Sequence, residues 1–347
     1  MKRHLLTAIQ AIITIGLLWW IFRDPAQNQK LLAALEVANN WWLVPGLAAL
    51  GGGLLLQAKR WLILLEVQGI VISYWRSLRI LLIGMFFNLF LLGSTGGDII
   101  KIFLIMREAP DKKAGALLSV FIDRVVGVLA LAAVSAVVIL LRWDDLMKYE
   151  VTRYGVFTAA VILGGSIGFI IVAWLTGRLD LATKLPRWLP ARDKIAEAAG
   201  AFVEYSRAGK SVGMAFLVSI PAHLLMFSTF WFGAKAFSAG LNLLSIYCVM
   251  PIVATVTALP ISVGGAGLRE GLFIKILGAL YATPEPIATL VSLSGFLMQV
   301  CWSLIGGAIY LAYRSTQHTP LAEIEKSVVD LEKRIEQNVE AGRPPEA

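Results

Sequence analysis

Apolar residues fall along this chain in long blocks, not in the short alternating or one-sided patterns of soluble elements. Six blocks, at roughly 5–22, 41–58, 114–141, 155–176, 212–233 and 286–313, approach or exceed the length a helix needs to cross a bilayer, about 20 residues. Two more, 77–106 and 243–279, are apolar but interrupted by glycine-rich stretches with charges close behind. Each is expected to form a hairpin, either two half-helices returning to one face or two full crossings, and the parity is the same. The expected fold is an all-α polytopic membrane protein of about six full spans plus two Gly-Gly-interrupted re-entrant or hairpin segments. One integral membrane domain would cover 1–313, with pseudo-repeats over about 1–141 and 155–313. A charged, helical cytoplasmic tail would follow over 314–347.

Composition agrees with the blocks. Of 347 residues, 58% are apolar in the AVILMFWYC set, 31 more are glycine, and only 16% are charged. Soluble domains carry about a quarter charged residues, so a soluble enzyme, a disordered chain and a nucleic-acid-binding domain are all excluded. The net charge of +8 fits a membrane protein that keeps Lys and Arg in its cytoplasmic loops. With a cytoplasmic N-terminus and both hairpins returning to their own side, the cytoplasmic segments hold 21 Lys/Arg and the opposite side 6. Making either hairpin a single crossing would destroy that bias. The expected location is a bacterial inner membrane, multi-pass, with both termini cytoplasmic.

The run after Met1-Lys2-Arg3-His4 has no small-residue cleavage site behind it and reads as an uncleaved first span. Within the loop 177–210, Ile195, Ala198, Phe202 and Tyr205 share one helical face and Arg192, Lys194 and Arg207 the other, the pattern of an interfacial helix. In the tail, Leu321, Ile324, Val328, Leu331 and Ile335 recur at spacings of three and four. Two heptads are too few to support oligomerisation. Cys248 and Cys301 both lie in apolar blocks and read as small core residues, and the tryptophans, among them Trp19, Trp20, Trp41, Trp42 and Trp61, read as interface anchors.

The two interrupted blocks resemble each other. At an offset of 168 residues, Ser94 falls on Ser262, Gly96-Gly97 on Gly264-Gly265, and Lys101 on Arg269. Three crossings per half reverse the orientation of the second half. Inverted repeats with interrupted helices at matching positions place a substrate site at the interruptions. Backbone that leaves the helix inside a membrane needs protein or water to satisfy it. A helix starting after paired glycines offers free N–H groups to an anion. Lys101 and Arg269 would sit in the first turns of such helices, so two elements meeting near the midplane would form one phosphate-sized anion site. The plainer alternative is that the glycines serve tight helix packing.

Asp123 and Arg124 lie about ten residues into the 114–141 block, about 15 Å along a helix. Charges at that depth need partners or a polar cavity. Adjacent helical residues diverge by about 100°, so the two are expected to take different partners, for example Arg124 with Asp98 and Asp123 with Lys101. Glu270 would neutralise Arg269 or serve as a protonatable coupling group. Asn88, Lys59 and Arg60 are weaker candidates, Arg60 being placed to snorkel to the interface. His223, two residues after Pro221, reads as a hydrogen-bonded structural histidine, with a proton relay the less favoured role.

At these residues the chain resembles a known family. Lys59-Arg60-Trp61, then Asn88 with Gly96-Gly97-Asp98 and Lys101, then Asp123-Arg124 with Gly127, then Pro260, Gly264-Gly265, Gly267 and Arg269-Glu270, are similar to the lysylphosphatidylglycerol synthase transmembrane region. That group is also called the flippase-like family, or uncharacterised membrane protein family 104. The resemblance runs from about residue 5 to 315. It departs from the family pattern at Leu92-Gly93, where a proline commonly precedes the glycine pair. In two-domain members the membrane part is thought to translocate a lipid made by a cytoplasmic aminoacyl-transferase domain. With only residues 314–347 after the last span, that domain and lysine transfer from tRNA are not expected.

The function expected is translocation of an anionic or zwitterionic phospholipid or lipid-linked intermediate. Lys101, Arg269, Ser94, Ser262 and the glycines 96, 97, 264 and 265 would bind the headgroup. Asp98, Asp123, Arg124, Glu270, Asn88 and Arg60 would form a gating or ion-pair network. A secondary transporter of a small organic anion is the alternative, and an intramembrane transferase a weaker one, since Asp144-Asp145 has no second aspartate pair to share Mg²⁺. No phosphate-binding G-x-x-x-x-G-K-[ST] motif occurs, so transport would be facilitated or coupled to protons or ions. No enzyme activity, metal or cofactor is expected; the partner is a membrane lipid and not nucleic acid.

Overall fold

The structure is a computed structural model that describes residues 12–17, 19–90, 96–178, 204, 205, 207–257, 262 and 265–317. Among these residues every regular element is helical. The helices are α1 (Ile12–Phe22), α2 (Pro25–Glu36), α3 (Leu43–Val67), α4 (Tyr74–Phe90), α5 (Gly96–Glu108) and α6 (Lys113–Leu141). They continue with α7 (Trp143–Lys148), α8 (Glu150–Arg178), α9 (Gly209–Ala236), α10 (Leu243–Thr257), α11 (Leu268–Tyr281) and α12 (Glu285–Gln317).

Among the described residues, four stretches are long and apolar enough to cross a membrane: Asn40–Val67, Pro110–Leu141, Gly209–Ala236 and Glu285–Ala312. They match four of the six expected spans. The 155–176 block lies within the 29-residue α8. The first block is described only from residue 12. The interfacial helix expected in 177–210 and the helical tail fall mainly on 179–203 and 318–347, outside the described residues.

The interrupted blocks form shorter helices. Over the described residues α4, α5, α10 and α11 run for 17, 13, 15 and 14 residues, about 20–26 Å. Their contacts run in antiparallel order. Arg76 near the start of α4 pairs with Glu108 at the end of α5. Further along, Gly84 faces the stem of Lys101, and Asn88 faces Gly97. In the second pair, Thr257 at the end of α10 lies against Gly265 before α11. The start of α10, at Ser245 and Cys248, meets Tyr281 at the end of α11.

Two glycine positions explain the hairpin backbones. A Cβ on Gly97 would collide with the carbonyl oxygen of Gly84, so α4 and α5 approach backbone to backbone. Gly267, with φ of +80°, takes a left-handed turn directly before α11, a conformation glycine reaches without steric cost.

The order of α3 to α6 recurs in α9 to α12. Leu43, Tyr74, Gly96 and Lys113 start the first set and Gly209, Leu243, Leu268 and Glu285 the second, shifted by 166 to 172 residues. The corresponding helices α3 and α9 pack along one another in antiparallel order: Gly46 against Phe232, Gly53 against Met226 and Ala222, and Arg60 against Ser219. Small residues on one helix are what allow such close packing where lipid supplies no hydrophobic drive. This pair forms the spine; the second helix of each hairpin packs on the long helix that follows it, α5 on α6 and α11 on α12, while the first helices cross between the halves, α4 packing on α12 and α10 on α6.

Candidate functional site

The adjacent residues Asp123 and Arg124 go to different partners. Asp123 is 4% exposed. Its Oδ1 accepts a hydrogen bond from Arg60 Nε at 2.7 Å, and its Oδ2 one from Lys101 Nζ at 3.4 Å. Both cations are buried, at 6% and 7% exposure. Arg60 Nη1 also donates to Ser219 Oγ of α9 at 3.4 Å. Lys101 Nζ stands 4.4 Å from the centre of the Trp61 ring, in range for a cation–π attraction. The Trp61 indole N–H donates to Ser119 at 3.3 Å. Gly127, one turn beyond Asp123, leaves room for the guanidinium; a Cβ there would lie 3.0 Å from Arg60 Nη1. The carbonyl of Gly127 hydrogen-bonds His223 Nε2 at 3.0 Å.

Arg124 is more exposed. Its Nε and Nη2 donate to Asp98 Oδ2 at 2.8 and 2.7 Å. Asp98 lies in the first turn of α5, where a carboxylate suits the positive end of the helix dipole. Asn88 Oδ1 accepts from the Gly97 N–H at 2.8 Å, so α4 satisfies one of the free N–H groups that begin α5. Arg60, Lys101 and Arg124 thus face Asp98 and Asp123: three cations to two carboxylates, with one buried carboxylate shared by two buried cations.

The second cluster is balanced. Glu270, 1% exposed, accepts through Oε2 from the Gly267 N–H at 2.6 Å. Its Oε1 accepts from Arg269 Nε and Nη2 at 3.1 and 2.9 Å and from Ser292 Oγ at 2.8 Å. Arg269 is buried, with Cζ 5.0 Å from the centre of the Phe296 ring. Ser262 is buried, and its hydroxyl has no hydrogen-bond partner among the described residues. Ser94 and Gly264 lie outside the described residues.

The two clusters are separate. Arg60 touches Ser219 of α9, whereas α11 meets that helix at Phe230, whose ring packs on Phe273 at 5.3 Å. Eleven residues of helix separate those positions, about 16 Å. The expected single anion site holding both Lys101 and Arg269 is therefore corrected to two clusters, because α5 brings Lys101 to Asp123 of α6 whereas α11 brings Arg269 to Ser292 of α12.

A model of the family described as "Lysylphosphatidylglycerol synthase TM region" matches residues 7–306. The chain belongs to that family. It is a multi-pass membrane protein of a lipid-related family, and no curated protein matches it. Within this lysylphosphatidylglycerol synthase TM region, three further expectations are corrected. Arg60 does not snorkel; Asp123 and Ser219 give it partners in the interior. Trp61 is fully buried and is no interface anchor, although Trp19, Trp20 and Trp41 are exposed. Cys301 is exposed, and only Cys248 is a core residue. The pairing of Asp98 with Arg124 and of Lys101 with Asp123 matches the expected contacts.

Sequence reasoning missed Ser119, Ser219 and Ser292. Ser292 carried one usable signal, since it stands 168 residues after Arg124. A lone serine in an apolar span carries no other.

Proposed function

We propose that the chain translocates an anionic or zwitterionic phospholipid or lipid-linked intermediate across a bacterial inner membrane. The observation that supports this best is the sharing of Asp123 by Arg60 and Lys101. A buried cation without full compensation is costly, by several kcal/mol for a broken buried pair. A lipid phosphate beside Lys101 would supply the missing negative charge. In this reading the α4–α5 and α10–α11 hairpins are re-entrant segments of an inverted repeat with cytoplasmic termini. Asp98, Arg124 and Asn88 hold the first hairpin to its neighbours. The protein moves its substrate without covalent change, by facilitated or ion-coupled transport.

The test is reconstitution into vesicles carrying fluorescent phosphatidylglycerol or phosphatidylethanolamine in both leaflets, with a membrane-impermeant reductant outside. The wild type should expose inner-leaflet lipid to the reductant, and Lys101→Ala should slow that exposure at least tenfold. Vesicles no faster than protein-free controls, or a folded Lys101→Ala protein as fast as wild type, would overturn the proposal. Uptake of a soluble organic anion without lipid movement would point to the small-anion transporter.

A further inference from the structure

The two clusters differ in where their carboxylate comes from. In the first, Asp123 of α6 reaches Lys101 of α5 from a different helix. In the second, Glu270 is the immediate neighbour of Arg269 in the first turn of α11. Adjacent helical residues do not face each other, so this pair closes only because both side chains converge at the helix start. At the repeat offset of 168, Ile102 occupies the place of Glu270 and Arg124 that of Ser292. The first cluster thus has no carboxylate at this position on its hairpin helix and keeps a surplus positive charge. The second cluster has one, and Arg269 is balanced by Glu270.

The donors around Glu270 have the chemistry of an anion receptor. They are the Nε–Nη2 edge of a buried arginine, a buried serine hydroxyl and the backbone N–H of Gly267 at a helix N-terminus, the groups that bind phosphate and carboxylate. Five residues before Gly267, Ser262 has a buried hydroxyl with no partner among the described residues, and its carbonyl accepts from the Gly265 N–H at 3.4 Å. We propose that Glu270 is a resident anion: its carboxylate fills a receptor for the phosphate or carboxylate of the transported molecule, which binds there only when Glu270 is displaced. This rests on the translocation reading and makes the first cluster the open anion site and the second the closed one.

Binding to a state that is only fractionally available weakens apparent affinity by that fraction. If Glu270 fills the receptor in nine molecules of ten, removing its charge tightens binding about tenfold. The experiment uses the full chain in detergent, titrated with inorganic phosphate and, separately, with short-chain phosphatidylglycerol, and binding is read by calorimetry. Glu270→Gln should bind about tenfold more tightly than wild type, and Arg269→Gln should weaken binding. The double variant Arg269→Gln/Glu270→Gln should lose the gain.

A folded Glu270→Gln protein that binds no more tightly, while Arg269→Gln weakens binding, overturns the resident-anion proposal and leaves the translocation reading standing. Equal binding by wild type and every variant, together with unchanged lipid movement in vesicles, overturns both. A gain for phosphate without a gain for phosphatidylglycerol overturns the lipid as the source of the anion. Should Glu270→Gln fail to fold, Glu270→Asp, which keeps the charge and shortens its reach, takes its place with the same expected direction.

Discussion

Arg60 and Asp123, 63 residues apart in sequence, meet through a 2.7 Å hydrogen bond between Nε and Oδ1, and Lys101 approaches the other carboxylate oxygen. Removing that carboxylate strands two buried cations. Asp123→Asn is expected to destabilise the protein by about 3–5 kcal/mol, measured by detergent-induced unfolding. Adding Arg60→Gln should recover part of the loss, since the double variant buries one cation fewer. Simple additivity of the two changes would show that the pair is not coupled.

Asp98 and Arg124 form the contrasting pair. The Arg124 side chain is 55% exposed; facing the water-filled cavity that a charge at this depth requires, such a screened ion pair contributes about 0–1 kcal/mol. Arg124→Ala should therefore change unfolding stability by less than about 1 kcal/mol. A loss comparable to that of Asp123→Asn would mean the salt bridge is shielded far more than its geometry indicates.

Gly97 tests the first hairpin. An added methyl would strike the Gly84 carbonyl and come within 2.7 Å of Asn88 Oδ1. Gly97→Ala should cost about 1–3 kcal/mol through overpacking and should slow lipid movement. Gly164→Ala in α8, where nothing lies within 4 Å, is the control, expected to stay within about 1 kcal/mol of wild type.

Trp61 is the packing partner that the sequence misassigned. Trp61→Phe keeps a ring beneath Lys101 and loses the hydrogen bond to Ser119, for an expected cost of about 1 kcal/mol. Trp61→Ala removes the ring and should cost about 3–5 kcal/mol. Equal effects from the two changes would assign the role to the indole N–H instead of the ring.

What the sequence made legible follows from local rules. Long apolar blocks located α3, α6, α9 and α12, and glycine interruptions located both hairpins. The divergence of neighbouring residues on a helix separated the partners of Asp123 and Arg124. The burial of Arg60 and Trp61 was not legible, because it depends on which helices become neighbours. Apolar spans rich in leucine, alanine and glycine carry no mark of that choice. Span-end positions gave both residues an interfacial reading, and only the arrival of Asp123, Ser119 and Ser219 from other helices reverses it. The separation of the two charged clusters has the same origin, since the offset of 168 aligns residues without stating how far apart the halves place them.

The reach from Arg60 to Asp123 also has a consequence in time. Chains emerge at about 5–20 residues per second, so α3 is complete several seconds before the carboxylate of α6 exists. During that interval Arg60 has no Asp123 to hold it in the interior, and its long stem lets the guanidinium stay at the membrane surface. The snorkelled position read from the sequence is then the arginine's first residence, and the buried one begins when α6 is inserted.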